Sequence, residues 1–239
     1  MDGLNPKKIC FISCVNQPRL WEECCLYLEQ LYIPEGFETE VLTVTDAASM
    51  TSGYNEAMRA SDARYKIYMH QDLFLTDRYI LQEAVDAFLR YRGIGILGVV
   101  GSVGDPEDGI MWNAEQTASY YWKENCDFSN CDTYTRPELV KVYHAGLLDG
   151  MLLMTSRDLP WREDLLTRFD FYDASQCMEF RRRGLGVGVI DPGKPVCVHQ
   201  NGYINNYLYY EEERQKFMTE YGAELHKTGH SGLSGGGTA

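Results

Sequence analysis

Apolar and polar positions fall in blocks along this chain. Lys8 to Val15 (KICFISCV) is a compact apolar run closed by a turn signal, the pattern of a central strand. Asn16-Gln17-Pro18 opens a helix, since Asn can cap exposed backbone N–H groups and Pro is tolerated in the first turn. Leu20, Trp21, Cys24, Leu28, Leu31 and Tyr32 recur on one helical face before Pro34 and Gly36 end it. Glu38 to Thr45 (ETEVLTVT) predicts a second strand, ending at Asp46. Ser52 to Ala63 reads as a short helix, and Tyr65 to Met69 as a third, buried strand. Thr76-Asp77 begins another helix, with Leu81, Val85, Phe88 and Leu89 facing inward, and Gly95 to Gly101 is a fourth strand. This β-α-β-α-β-α-β order predicts an α/β fold, a mainly parallel twisted sheet with helices on both faces.

The pattern loosens from Ser102 to Pro137, rich in Gly, Asp, Asn and aromatic residues. A long irregular segment in a compact domain is more often a functional loop than a structureless one. Order returns with strands over Glu138 to Tyr143 and Asp149 to Thr155. Asp173 to Arg183 is a helix stopped by Gly184. Leu185 to Ile190 and Val196 to His199 are strands, and Asn206 to Tyr221 is a last helix. One domain is expected over residues 1–230, with a flexible Gly/Ser-rich tail from Ser231 to Ala239.

Composition narrows the function classes. Hydrophobic residues make up 44% of 239, enough for a core. Lys and Arg total 22 against 35 Asp and Glu, a net charge of −13. That disfavours a nucleic-acid face, which needs clustered cations. A nucleotide ligand stays open, because a metal supplies positive charge locally. Met1 to Lys8 lacks a signal-peptide core, and no apolar run is long enough for a transmembrane segment. The eight cysteines form no paired C-x-x-C knuckles and mostly fall in predicted strands and helices, so a cytoplasmic location is expected. Cys126 and Cys131 share a loop, which leaves a local disulfide or metal site open.

The chemistry concentrates where strands end. Asp72, in His70-Gln71-Asp72, follows the third strand and should sit at the carboxyl edge of the sheet, where open α/β proteins bind ligands. A carboxylate held there can fix a divalent cation against a diphosphate. The ordered set of a strand ending in Asp46, SGYNEAM, YKIYMHQD, DGMLLM, FDFYDASQCMEFRRRG and CVH resembles the inverting nucleotide-sugar glycosyltransferases of the bacterial family-2-like branch. The resemblance covers roughly Lys8 to Asn201. It implies the Rossmann-like GT-A fold with a small antiparallel addition, and transfer of a sugar from a nucleoside-diphosphate donor to a hydroxyl acceptor in surface polysaccharide or glycoconjugate synthesis.

The resemblance also implies roles, each with an ordinary structural rival. Asp72 would hold Mn²⁺ or Mg²⁺ on the donor diphosphate; the rival is a turn acid. The family's Asp-x-Asp is His-Gln-Asp here, so His70 would replace the first acid, with His199 as a further ligand, or the donor binds without metal. Asp46 would bond the nucleotide base, with Val15 and Asn16 lining the same pocket and Gln71 beside them; Asp46 also suits a loop start. Gly53 would let backbone approach the ligand, and Asn55 would bond the nucleotide or brace the Asp72 loop. Asp173 is the candidate base, with Asp170 as fallback, although Asp173-x-x-Gln176 is also a capping-box pattern. Asp149-Gly150 would lie on the acceptor side. Arg181-Arg182-Arg183 suits a helix C-terminus or a phosphate. Apart from the resemblance, sugar rings stack on aromatic faces, so Trp112, Tyr120, Tyr121 and Trp122 in the loose segment suit a platform for a saccharide or lipid-linked saccharide acceptor, or a satellite hydrophobic cluster. A homodimer is compatible with this reading. A non-catalytic sugar-nucleotide-binding or assembly protein is the rival function, with His70 in place of an acid as its best support.

Overall fold

The computed structural model describes residues 3–117, 121–122, 140–200 and 207–228. The Cys126–Cys131 loop, Tyr120 and the tail from Ser231 lie outside them, as do the first residues expected of the Glu138 strand and the last helix. The strands are β1 (Asn5–Val15), β2 (Glu38–Thr45), β3 (Ala63–Met69), β4 (Leu73–Leu75), β5 (Ile94–Gly98), β6 (Gly101–Ser102), β7 (Gln116–Thr117), β8 (Tyr121–Trp122), β9 (Lys141–His144), β10 (Leu152–Thr155), β11 (Gly186–Asp191) and β12 (Cys197–His199). The helices are α1 (Pro18–Leu28), α2 (Met50–Ala60), α3 (Ile80–Arg90), α4 (Tyr172–Arg182) and α5 (Tyr210–Thr228).

A seven-stranded sheet runs in the order β2-β1-β3-β10-β5-β11-β9. β1 pairs in parallel with both β2 and β3, so the chain steps to opposite sides of β1 and creates a switch point there. β10 enters antiparallel between β3 and β5, and β9 pairs antiparallel with the far strand β11. A three-stranded sheet, β4-β12-β8, and the two-stranded β6-β7 are the small additions. The periodic reading misses β4, which is only three residues of an apolar stretch. It also runs β5 on to Gly101, where the chain instead breaks and starts β6.

The central strands of the sheet are buried on both faces, while the edge strands β2 and β9 are largely exposed. Ile9, Cys10, Phe11 and Ile12 of β1 and Ile67, Tyr68 and Met69 of β3 are all within 3% of full burial. Such continuous apolar runs belong to central strands covered by helices. The inward set expected of α3 holds at Leu81, Val85 and Phe88, but Leu89 is exposed. α1 ends at Leu28, so Leu31, although buried, belongs to the following turn. Two sequence-based caps are absent. Gln17, not Asn16, precedes α1, and it makes no side-chain cap. Phe171 precedes α4, which puts Asp173 inside the helix, while Gln176 donates to the Leu159 carbonyl at 2.8 Å. Gly53 serves packing: a Cβ there would lie 2.6 Å from Cys14 Sγ and 3.0 Å from Ala47 Cβ, so glycine lets α2 press onto the sheet. Among the described residues, Cys10, Cys14, Cys24, Cys25, Cys177 and Cys197 are free thiols. No helix among the described residues is long and apolar enough to cross a membrane.

Candidate active site

Parallel pairing of β1, β2 and β3 puts their carboxyl ends on one edge. Val15 stands opposite Thr45, so Asn16 and Asp46 leave the sheet side by side. His70 follows β3 on the other side of β1. Asp46 and the His70–Asp72 turn are therefore two strand spacings apart, roughly 10 Å. Asp46 is exposed and takes a left-handed backbone (φ 56°), a conformation Asp tolerates better than most residues. Gln71 ties the switch point together. Its Oε1 accepts from the backbone N–H groups of Asn16 (3.0 Å) and Gln17 (2.8 Å), and its Nε2 donates to Asn16 Oδ1 (2.6 Å). Asn16 thus spends its side chain on Gln71, while Val15 is buried beside it.

The two antiparallel elements bring distant residues to this edge. β12 pairs with β4 so that His199 stands opposite Leu73, and the Gln200 N–H donates to the Asp72 carbonyl. His199 Nε2 then lies 3.2 Å from Asp72 Oδ1 and 3.3 Å from His70 Nδ1. One nitrogen from each histidine and one Asp72 oxygen fall within 4.8 Å of one another. Burial and the neighbouring His199 hold the His70 imidazole below its ordinary pKa of 6.5, in the neutral form that ligates metals. Burial would raise the Asp72 carboxyl, but the His199 hydrogen bond and both imidazoles outweigh it and keep the group anionic. Two imidazoles and one carboxylate form a donor set that suits Mn²⁺ better than Mg²⁺, which prefers oxygen.

β10 runs against β3, so its amino end arrives where β3 ends. The His70 N–H donates to the Met151 carbonyl, which fixes Asp149 and Gly150 beside His70. Tyr172, in the first turn of α4, puts its hydroxyl 2.6 Å from His70 Nε2. That contact leaves the other imidazole nitrogen facing Asp72 and His199, the arrangement by which an outer partner orients a metal-binding histidine. Tyr172 packs against buried Tyr54 and Trp161. Asn55 supports this aromatic wall rather than the cleft. Its Nδ2 donates to the Trp161 carbonyl (2.8 Å) and its Oδ1 accepts from the Trp161 N–H (2.9 Å), so a buried Asn55 is spent within the core. This corrects the expectation that Asn55 touches the nucleotide or braces the Asp72 loop.

Asp173 follows Tyr172 and faces the same space. Its Oδ2 accepts from the Gly150 N–H and its Oδ1 from the Ala174 N–H, both at 2.8 Å. Burial and the nearby Asp149 carboxylate push its pKa up to about 7 against these two bonds. His70, Asp149, Tyr172, Asp173 and Trp112 line one cavity of about 190 Å³. This is less than the roughly 300–1,000 Å³ of a pocket that engulfs a whole small ligand, so it suits one end of a larger molecule. Arg181 and Arg182 are committed elsewhere, to Asp105 and to Glu179, Glu220 and Glu224.

A model of the glycosyltransferase-like family matches residues 10–221. The chain belongs to that family. No curated protein sequence matches it. Among solved structures, this glycosyltransferase-like chain is similar to the mannosyltransferase PcManGT from Pyrobaculum calidifontis, in complex with GDP-Man and Mn²⁺. The identity is 14%, the TM-score 0.57, and the match covers 92% of this chain and 68% of that one. It is also similar to TarS from S. aureus, at 11% identity and a TM-score of 0.51 over 81% of this chain. The match spans only 37% of that TarS chain. These likenesses place the chain in the GT-A fold.

The sequence names Tyr172 only as part of the motif ahead of Asp173, and Gly150 only with Asp149 on the acceptor side. Their link is spatial: a Cβ on Gly150 would lie 2.1 Å from the Tyr172 hydroxyl. Gly150→Ala is expected to push Tyr172 off His70 and to cost about 1–3 kcal/mol of stability through overpacking. Urea denaturation checks this, and an unchanged midpoint would contradict the close contact.

Proposed function

We propose that this glycosyltransferase moves a sugar from a nucleoside-diphosphate donor to a hydroxyl acceptor, with inversion at the anomeric carbon. The observation that carries the reading is Asp173, a buried carboxylate whose pKa of about 7 suits a general base, in one cavity with His70. The acceptor oxygen forms a bond to the anomeric carbon as its proton passes to Asp173. The bond from that carbon to the diphosphate oxygen breaks, and its electron pair leaves with the nucleoside diphosphate. Attack from the face opposite the leaving group inverts the centre.

His70, Asp72 and His199 are the residues that would hold a divalent ion, Mn²⁺ above Mg²⁺ from their donor chemistry. Such an ion would offset charge on the departing diphosphate. Tyr172 orients His70, and Gly150 gives Asp173 a backbone hydrogen bond. Along the sheet edge, Asp46, Val15 and the Asn16–Gln71 pair stand where the nucleoside would lie, with Asp46 as the group that meets the base. Gly53 takes part only by seating α2. The GDP-Man and Mn²⁺ bound by PcManGT support a donor of this class. A role in surface polysaccharide or glycoconjugate synthesis follows from the sequence resemblance alone.

A thermal-shift screen of nucleoside diphosphates with and without Mn²⁺ tests the reading. A ligand at one hundred times its Kd adds about 2.7 kcal/mol, or roughly 5–10 °C for a chain of this size. At least one diphosphate should give a Mn²⁺-dependent shift, and its sugar conjugate should be consumed with a hydroxyl acceptor. Binding without turnover would leave a sugar-nucleotide-binding protein; no shift with any diphosphate would overturn the donor class.

A further inference from the structure

Large exposed aromatic side chains gather at the mouth of the Asp173 cavity. Trp112 (44% exposed) and Phe169 (50% exposed) both line it, and so does Tyr210. An exposed indole is ordinary when it stands alone, but aromatic surface concentrated at one cavity points to a ligand. Trp112 is also held in place. Its Nε1–H donates to Asp149 Oδ2 at 3.0 Å, and Asp149 Oδ1 accepts from the Met151 N–H at 2.9 Å. The indole and the carboxylate are thus fixed edge to edge, one offering an apolar plane and the other acceptor oxygens beside it.

The charge of the lining is one-sided. Asp149, Asp170 and Asp173 contribute carboxyl groups, and no Lys or Arg lines the cavity among the described residues. An anionic group entering on this side would meet like charge with no described Lys or Arg in the lining to pair it, a juxtaposition that disfavours binding. A ligand with an apolar face and a rim of hydroxyl donors meets the opposite situation. It can cover the indole while its O–H groups donate to the carboxylates.

Resting on the transfer reading above, we infer that the reacting unit of the acceptor is an uncharged pyranose lying on Trp112, with a hydroxyl directed at Asp173. The donor diphosphate occupies the His70–Asp72–His199 side, which leaves the aromatic side for the acceptor. Phe169 and Tyr210 extend the platform outward, so a second sugar or an apolar aglycone gains contact there.

Saturation-transfer NMR with p-nitrophenyl hexopyranosides and their matching hexuronides tests this, on the full chain with and without nucleoside diphosphate and Mn²⁺. Neutral glycosides should bind through ring protons of one face. Trp112→Ala should weaken them about tenfold, the scale of one aromatic contact. Trp112→Phe should keep most of the affinity, because it retains a ring without the N–H bond to Asp149. The hexuronides should bind at least about tenfold more weakly. Thermal melts of both variants control for folding. Equal binding of uronide and neutral glycoside, or no Trp112-dependent binding by any glycoside, would overturn the inference. Nucleotide binding in the same samples keeps the two readings apart. A diphosphate that binds while no glycoside does sinks only the acceptor assignment. Trp112-dependent glycoside binding without any diphosphate binding supports it and sinks the donor assignment.

Discussion

Asp173→Asn is expected to lower the rate of sugar transfer by about 10²–10⁴-fold, the usual contribution of a positioned general base. Affinity for nucleoside diphosphate should change little, because Asp173 faces the cavity beside Gly150 rather than the sheet edge near Asp46. The pH dependence supplies an independent check. The base works as the carboxylate, and its pKa is raised from 3.8 to about 7 by burial and then by Asp149. The rate should therefore fall about tenfold per pH unit below 7 and level off above it. Stability should respond in the opposite sense. The folded protein keeps this proton between pH 4 and 7 while the unfolded chain has released it. The stabilising contribution is complete below pH 4 and is lost as pH rises through 7. Steady-state kinetics and melts across that window measure both. Undiminished transfer by Asp173→Asn would exclude the base role and pass it to Asp170, whose carboxyl is raised by burial and Glu213.

Asp72→Asn and His199→Ala are each expected to weaken Mn²⁺ binding by more than about 100-fold. Loss of an outer-shell partner alone costs 10–100-fold, and these side chains would touch the ion directly. Tyr172→Phe belongs to that smaller class, because it acts through His70. Mn²⁺ titrations followed by electron paramagnetic resonance read affinity without reference to turnover. Affinity should also fall in acid as protons compete for the His70 imidazole. For His70 that competition starts below 6.5, since burial and His199 depress its pKa. Unchanged Mn²⁺ affinity in both Asp72→Asn and His199→Ala would remove the metal from the proposal.

The first half of the sheet is legible because its signals are local. The apolar runs ending at Val15 and Met69 each encode a buried strand, the alternating run ending at Thr45 encodes an exposed edge strand, and the intervening helices force parallel pairing. Asn16, Asp46 and His70 therefore reach one edge in any right-handed arrangement of those elements. Asn16 and Asn55 show where local reasoning stops. Gln71 pairs with Asn16 at the sheet edge, whereas the Trp161 backbone holds a buried Asn55 within the core, and neither partner is near in sequence. The capping-box pattern at Asp173 fails in a similar way, because α4 starts at Tyr172 and a left-handed Phe171 takes the cap position, two residues before Asp173.

What this sequence determines alone is the series of strands and helices and the loops that carry its acids, since hydrophobic period and turn chemistry act over a few residues. The tertiary structure decides which of those loops meet. Antiparallel insertion of β10 delivers Asp149 and Gly150 to His70, and antiparallel pairing of β12 delivers His199 to Asp72. α4 then sets Tyr172 and Asp173 between them. No neighbour in sequence specifies those meetings. They follow from which strand edges pair and from the one Cβ that Gly150 lacks.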